Sequence, residues 1–205
     1  MLRRIAAFEF RYQFRQPLIW VAAILYFLLA FFAVTSDKVT IGGAIGAVHR
    51  NAPYVILQIM GVMSVLGTFF TTAFVSNSVH RDFEQQTDAL FFSMPISKRD
   101  YLLGRFSGSL VLAWFGFLAI ALGIMVGSVM PWLDPARVGP FLLTPYLYTM
   151  LVFVLPNLFI TGAIFFSVAT LTRNLLYTYA GVVVFLTGTL TASNFINDVE
   201  HRTLA

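Results

Sequence analysis

The chain has 205 residues and a net charge of +4, and 59% of its residues are hydrophobic while only 11% are charged. Soluble domains are nearer half apolar and a quarter charged, so this composition excludes an ordinary soluble enzyme and predicts a protein dissolved in a lipid bilayer. The absence of cysteine excludes disulfides, thiolate metal sites and a cysteine nucleophile, and the dispersed basic residues disfavour binding to nucleic acid.

The first predicted element is an amphipathic helix over residues 1–16. Arg4, Arg11 and Arg15 share one stripe of its helical wheel, with aromatic and aliphatic side chains on both sides. Such a helix lies in the membrane interface with its arginines at the lipid headgroups, and Pro17 permits a bend into the next element. Two interpretations stay open: a specific elbow helix, or a basic anchor that only sets the topology.

Five uncharged stretches follow, each long enough to cross the ~30 Å of hydrocarbon at about 1.5 Å per residue. The first of them exceeds the core of a signal peptide and no cleavage site follows it, so we expect it to be retained. The fold class is therefore all-α: a polytopic membrane helical bundle forming one transmembrane domain, 1–205. The spans are predicted at residues 17–36, 54–79, 106–130, 146–170 and 176–196.

The orientation follows from the positions of lysine and arginine. With the N-terminus placed in the cytoplasm, nine of the 13 basic residues fall on the cytoplasmic side and four on the outer side. Short cytoplasmic segments are richer in Lys and Arg, so this count predicts a cytoplasmic N-terminus in the plasma (inner) membrane. Five spans then place residue 205 outside.

A cytoplasmic inner-loop helix is predicted over residues 81–94, between the second and third spans. The segment mixes charges with aromatic and aliphatic side chains, and Pro95 ends it. A solvated loop needs no such apolar residues, so we expect this helix to pack against lipid, against the span ends or in the groove of a partner. Ser97 and Asp100 then have the spacing of a capping box at the start of the third span.

Polar side chains within the spans have two open interpretations: a substrate path or helix packing. The GxxxG spacings of Gly104/Gly108 and Gly123/Gly127 favour packing. Pro156 removes a backbone donor, so we expect a kink in the fourth span. The polar set and the proline beside it are Gln58, Ser64, Thr68, Thr71, Pro156 and Asn157.

Several kinds of site are missing from the sequence. No Asp, Glu, Lys, Arg or His lies deep in a predicted span, which disfavours coupling to protons or sodium. There is no P-loop motif and no H-E-x-x-H motif, and the three histidines flank different spans. We therefore expect no enzymatic activity and no catalytic, cofactor or metal site in this chain.

The inner loop resembles that of the permease subunits of ABC-2 type (type V exporter-like) transporters. The likeness is greatest to the N-terminal permease part of fused ABC permease/M1 aminopeptidase proteins, through residues 51–53, 130–134 and 155–157, and it covers essentially the whole chain. The inner-loop pattern of the family is matched by Arg81-Asp82-Phe83-Glu84 and by Ser93-Met94-Pro95-Ile96-Ser97-Lys98-Arg99-Asp100-Tyr101-Leu102-Leu103-Gly104-Arg105.

This resemblance implies a permease that moves an unknown substrate with ATP hydrolysed by a separate ABC ATPase subunit. ATP and Mg would bind to that partner and no cofactor to this chain, while the other partners would be a second permease copy or paralogue and the lipid bilayer. The inner-loop helix would be the coupling helix, and its implied ATPase contacts are Arg81, Asp82, Phe83, Glu84, Asp88, Leu90 and Phe91.

The resemblance is incomplete in one respect. Permeases of the family usually have six spans, and five are predicted here, so we expect a fragment, a truncated form or a divergent short member. The alternative function that stays open is a membrane anchor or assembly scaffold without transport activity.

Overall fold

All regular structure in the described part of the chain is helical. The computed structural model describes residues 1–36, 49–84 and 97–203, with side chains described for all of these except 82, 83 and 193–203. Five helical stretches in that part are long and apolar enough to cross a membrane, which confirms the predicted polytopic all-α bundle. The helices are α1 (Leu2–Phe14), α2 (Pro17–Thr35), α3 (Pro53–Glu84), α4 (Lys98–Ser128), α5 (Thr144–Tyr148), α6 (Leu155–Thr172) and α7 (Leu175–Thr203).

The helix ends follow local sequence chemistry. Gln16 is extended and Pro17 occupies the first turn of α2, where its missing N–H costs nothing. The Ser97 hydroxyl accepts a hydrogen bond from the Asp100 backbone N–H at 3.1 Å, as expected for a capping residue at the start of α4. Arg173 adopts a left-handed conformation with a φ of 51°, and this turn separates α6 from α7.

α3 and α4 are longer than the predicted spans. α3 continues to Glu84, past the predicted end at residue 79, and α4 begins at Lys98, before the predicted start at residue 106. Charged residues mark where a helix leaves the hydrocarbon, but they do not end the helix. The first four residues of the predicted inner-loop helix, 81–84, belong to α3, and its remainder lies outside the described residues.

α4 is the central helix. Two pairs of its glycines form the surfaces against which α1 and α2 pack. A Cβ atom on Gly104 would lie 2.8 Å from Cβ of Ile5, and one on Gly108 would lie 2.6 Å from the backbone oxygen of Ala6 in α1. The second pair, Gly123 and Gly127, meets the backbone of α2 in the same way. α1 and α2 therefore lie in succession along α4, where the small residues let the backbones approach closely.

The two ends of the bundle are chemically distinct. We call the end of the bundle where Glu9, Arg81 and Arg105 meet the proximal end. At the distal end the side chain of Asn51 donates to the Gly139 carbonyl and accepts from the Gly139 N–H, both at 2.8 Å. This pair of hydrogen bonds joins the start of α3 to the segment that precedes α5.

A π-helical segment, Thr149–Val154, lies between α5 and α6 in the fourth span. It ends where the Leu155 N–H donates to the Met150 carbonyl, five residues earlier instead of four. Pro156 follows directly and has no N–H to continue the regular pattern, so the expected irregularity takes the form of a local change in winding. The Trp114 indole N–H of α4 also donates to the Met150 carbonyl, at 3.3 Å.

Candidate functional site

A buried charge cluster joins three helices at the proximal end. Glu9 of α1 is completely buried, and its Oε2 atom accepts from Arg81 of α3 at 3.0 Å and from Arg105 of α4. Both arginine side chains are buried as well. Because separating these charges in a poorly solvated place is expensive, the cluster fixes the ends of α3 and α4 to α1.

Gln13 lies one turn after Glu9 and orients its carboxylate. The Gln13 Nε2 atom lies within hydrogen-bond distance of Glu9 Oε1, of the Ser109 hydroxyl at 2.9 Å and of the Phe74 carbonyl at 3.1 Å. This amide therefore contacts the same three helices as Glu9. The two side chains occupy successive turns of one face of α1, so they hold both the position and the rotation of that helix.

Aromatic rings of α1 cover the guanidinium groups. The Arg81 guanidinium carbon lies 3.9 Å from the centroid of the Tyr12 ring, and that of Arg105 lies 5.8 Å from the Phe8 ring. Tyr101 of α4 faces Arg105 at 5.5 Å. Rings at these distances attract cations and exclude water, which strengthens the interaction of both arginines with Glu9.

The close approach of α1 to α4 makes the cluster geometrically feasible. A Cβ atom on Gly108 would lie only 2.8 Å from Cβ of Glu9, so a larger residue would push the carboxylate away from α4. Gly104 has the same role one turn earlier, against Ile5 and Leu2. The glycine spacing that favoured helix packing is therefore also what lets Glu9 reach the two arginines.

The cluster links three helices through charge pairs and ring contacts. Its charged groups contact one another and aromatic rings, and no pair of them forms a nucleophile with a base. Among the residues whose side chains the structure describes, no group of three His, Asp or Glu could hold a metal ion. The arrangement holds the proximal ends of three helices together.

The predicted ATPase contacts lie in different places. Arg81 faces inward to Glu9, whereas Glu84 is exposed and its carboxylate lies 3.1 Å from the His80 ring nitrogen. Asp82 and Phe83 lie on α3, and their side chains are outside the described set. The remaining residues of that prediction, Asp88, Leu90 and Phe91, lie outside the described residues. Contact of any of these residues with an ATPase stays a prediction.

The predicted polar set does not converge on one point. Ser64 and Thr68 donate to backbone carbonyls of their own helix at 2.8 and 3.0 Å, and Gln58 donates to the Tyr54 hydroxyl at 2.6 Å. Thr71 is buried in α3. The other two members, on α6, are the exposed Pro156 and the half-buried Asn157. The backbone carbonyl of Asn157 accepts a hydrogen bond from the Thr161 hydroxyl. The hydrogen bonds formed by this set lie within single helices, and its role as a path or as packing stays a prediction.

Sequence reasoning missed Glu9, Gln13 and Ser109. A signal for the first was present, because Glu9 is the only acidic residue of α1 and lies opposite the stripe of Arg4 and Arg11 on the helical wheel. A lone acid on the apolar side of a basic helix needs a cationic partner. No local pattern identified that partner, since Arg81 and Arg105 are far away in the chain.

Comparison with known proteins agrees with this architecture. The sequence profile of a family described as ABC-2 family transporter protein matches residues 3–198. The match includes all three helices of the cluster and the five candidate spans. No curated protein and no solved structure matches the chain.

Proposed function

Since the chain belongs to the ABC-2 family of transporter proteins, we propose that it is the membrane-spanning permease subunit that moves a substrate with ATP hydrolysed by a separate partner. As a member of that family it is a multi-pass membrane component of an ABC transporter. Five apolar helices and the buried cluster support a role in which the chain moves without performing chemistry itself.

The observation that carries the proposal is the pairing of Glu9 with both Arg81 and Arg105. These arginines lie near the ends of α3 and α4 that flank residues 85–96, and the resemblance assigns the overlapping inner-loop helix, 81–94, to contact with an ATPase. A force on that segment would reach both arginines, and through Glu9 it would reach α1. Packed elements joined by ionic contacts carry such coupling because they move as a unit.

The same displacement would also move helices that span the membrane. α4 contacts α2 through Gly123 and Gly127, and it contacts α6 through Phe106, whose ring centroid lies 5.7 Å from that of Phe159. A tilt of α4 at the proximal end would therefore move its neighbours on both sides. This movement is what a permease needs to change the access of a substrate.

We place the proximal end in the cytoplasm and the chain in the plasma (inner) membrane. Arg81 and Arg105 meet there, beside the exposed arginines of α1. At the distal end the Arg50 N–H donates to the Arg137 carbonyl at 2.9 Å, so two of the four basic residues assigned to the outer side lie together. The excess of basic residues at one end supports this orientation.

The proposed partners are an ABC ATPase, with ATP and Mg bound to it, and a second permease copy or paralogue. The outward-facing side chains of α7, such as Leu176 and Val184, leave apolar surface for lipid or for that second permease. Within the family, the resemblance of residues 51–53, 130–134 and 155–157 supports a place near the permease part of fused permease/aminopeptidase proteins.

The test is to purify the tagged chain, with any bound ATPase, from the membranes of the cells that naturally produce it. Vanadate-sensitive ATP hydrolysis by the captured complex is then measured. We expect Glu84→Ala combined with Asp88→Ala to lower capture of the ATPase about tenfold, the scale of losing two charge contacts with the partner. Glu9→Gln should leave capture unchanged and uncouple ATP hydrolysis from movement of the spans. Arg137→Gln, at the distal end, is the control and should change neither.

Two results would contradict the proposal. Intact capture in the double variant would move the docking site away from the inner loop. Absence of any ATPase activity in the purified complex would instead favour the membrane anchor or assembly scaffold, which needs no energy source.

A further inference from the structure

α1 presents positive charge outward and hides its acid. Arg3, Arg4, Arg11 and Arg15 are all exposed, whereas Glu9 has no exposed surface. The outer surface of this segment therefore carries four guanidinium groups and no carboxylate. Such a surface attracts anions, which approach α1 from the side that faces away from the bundle.

The buried face of α1 determines that direction. Glu9 and Gln13 are held by hydrogen bonds to α3 and α4, so α1 cannot roll about its own axis without breaking the cluster. Arg4, Arg11 and Arg15 lie on the opposite side of the helix at spacings of seven and four residues. We call these three residues the arginine stripe, and the cluster keeps it facing away from the bundle.

The C-terminal end of the stripe lies beside the start of the first candidate span. α2, the first span, begins at Pro17, only two residues after Arg15. Trp20, in the first turn of that span, is 49% exposed and its indole N–H donates to the Phe14 carbonyl at 3.2 Å. Tryptophan prefers the boundary between headgroups and hydrocarbon, so Trp20 marks that level beside the stripe.

We propose that the arginine stripe binds anionic phospholipid headgroups in preference to zwitterionic ones. A guanidinium group pairs with phosphate through two parallel hydrogen bonds, and a headgroup with net negative charge adds long-range attraction. Each basic residue near an anionic membrane surface strengthens association by roughly fivefold, and a measurement averaged over all lipid around the protein records a smaller preference. This inference concerns the lipid around α1 and needs neither an ATPase nor transport.

The test uses the full chain reconstituted in phosphatidylcholine vesicles with a trace of spin-labelled phosphatidylglycerol or spin-labelled phosphatidylcholine. The fraction of motionally restricted label measures which lipid lies at the protein surface. At about 50 mM NaCl we expect a preference of about threefold for phosphatidylglycerol, and its loss at about 0.5 M NaCl because salt screens exposed charges. The triple variant R4Q/R11Q/R15Q should show no preference.

The matched control is R4K/R11K/R15K, which retains the charges and most of the preference. Equal restriction of the two lipids by the wild-type chain, or a preference that survives in the glutamine variant, would overturn the proposal. A stronger effect of inorganic phosphate than of NaCl at equal ionic strength would assign the stripe to a soluble anion and would also overturn it. All three residues are exposed, so the variants should stay monodisperse with an unchanged unfolding temperature, and failure there directs the test to the single variant Arg11→Gln.

Discussion

Replacing Glu9 by glutamine tests the buried cluster most directly. The substitution keeps the size and shape of the side chain and removes only its charge. Arg81 and Arg105 then remain buried around a neutral amide. The expected result is a large loss of stability from a change of a few atoms.

The magnitude follows from the burial of all three groups. Removing one partner of a buried ion pair costs about 3–5 kcal/mol, because the remaining charge has lost its compensation. The amide oxygen of a glutamine still accepts one hydrogen bond, so we expect the lower end, about 3 kcal/mol. For a chain of this size that corresponds to a fall of roughly 6 to 12 °C in the unfolding temperature.

The assay is thermal unfolding of the purified chain in one detergent at one protein concentration. Arg3→Gln is the control, because it also removes one charge from α1 but at an exposed position, and it should change stability by less than about 0.5 kcal/mol. The double variant E9Q/R105Q should be more stable than the sum of the two single variants predicts, since it removes both members of one pair. An effect of Glu9→Gln below about 1 kcal/mol, or strict additivity in the double variant, would refute the reasoning.

Three further predictions concern helix contacts, and each is checked by the same unfolding measurement. Gly108→Ala places a methyl group 2.6 Å from a backbone oxygen of α1 and should lower the stability by about 1–3 kcal/mol. The control is Gly188→Ala, whose methyl group meets nothing within 4 Å and should stabilise its helix by about 0.5–1 kcal/mol. Equal effects of the two substitutions would argue against close packing of α1. Asn51→Ala breaks both hydrogen bonds to Gly139 and should cost about 1–3 kcal/mol, so an unchanged unfolding temperature would show that this distal contact is dispensable. Trp114→Phe removes one hydrogen bond to the π-helical segment and should cost about 1 kcal/mol, and a gain in stability would contradict that bond.

The number of spans and the helical class were predictable because the bilayer leaves few choices. A segment in hydrocarbon must satisfy its backbone hydrogen bonds within itself, so about twenty uncharged residues in a row predict a helix. Pro17 and Ser97 were readable for the same local reason, since each acts on the turn in which it lies. The helices α3 and α4 extend beyond the predicted spans, because charge reports the edge of the hydrocarbon and not the end of a helix.

The sequence by itself thus determined the helical class and the five candidate spans, since length, polarity and turn chemistry act within a few residues. Only the tertiary structure decided which segments meet. Two glycine pairs in α4 indicated packing, but α1 occupies one and α2 the other, a choice that no local pattern contains. Glu9 likewise needed a cation, and its partners are Arg81 and Arg105, 72 and 96 residues away, because the packing of three helices brings these charges to one buried point.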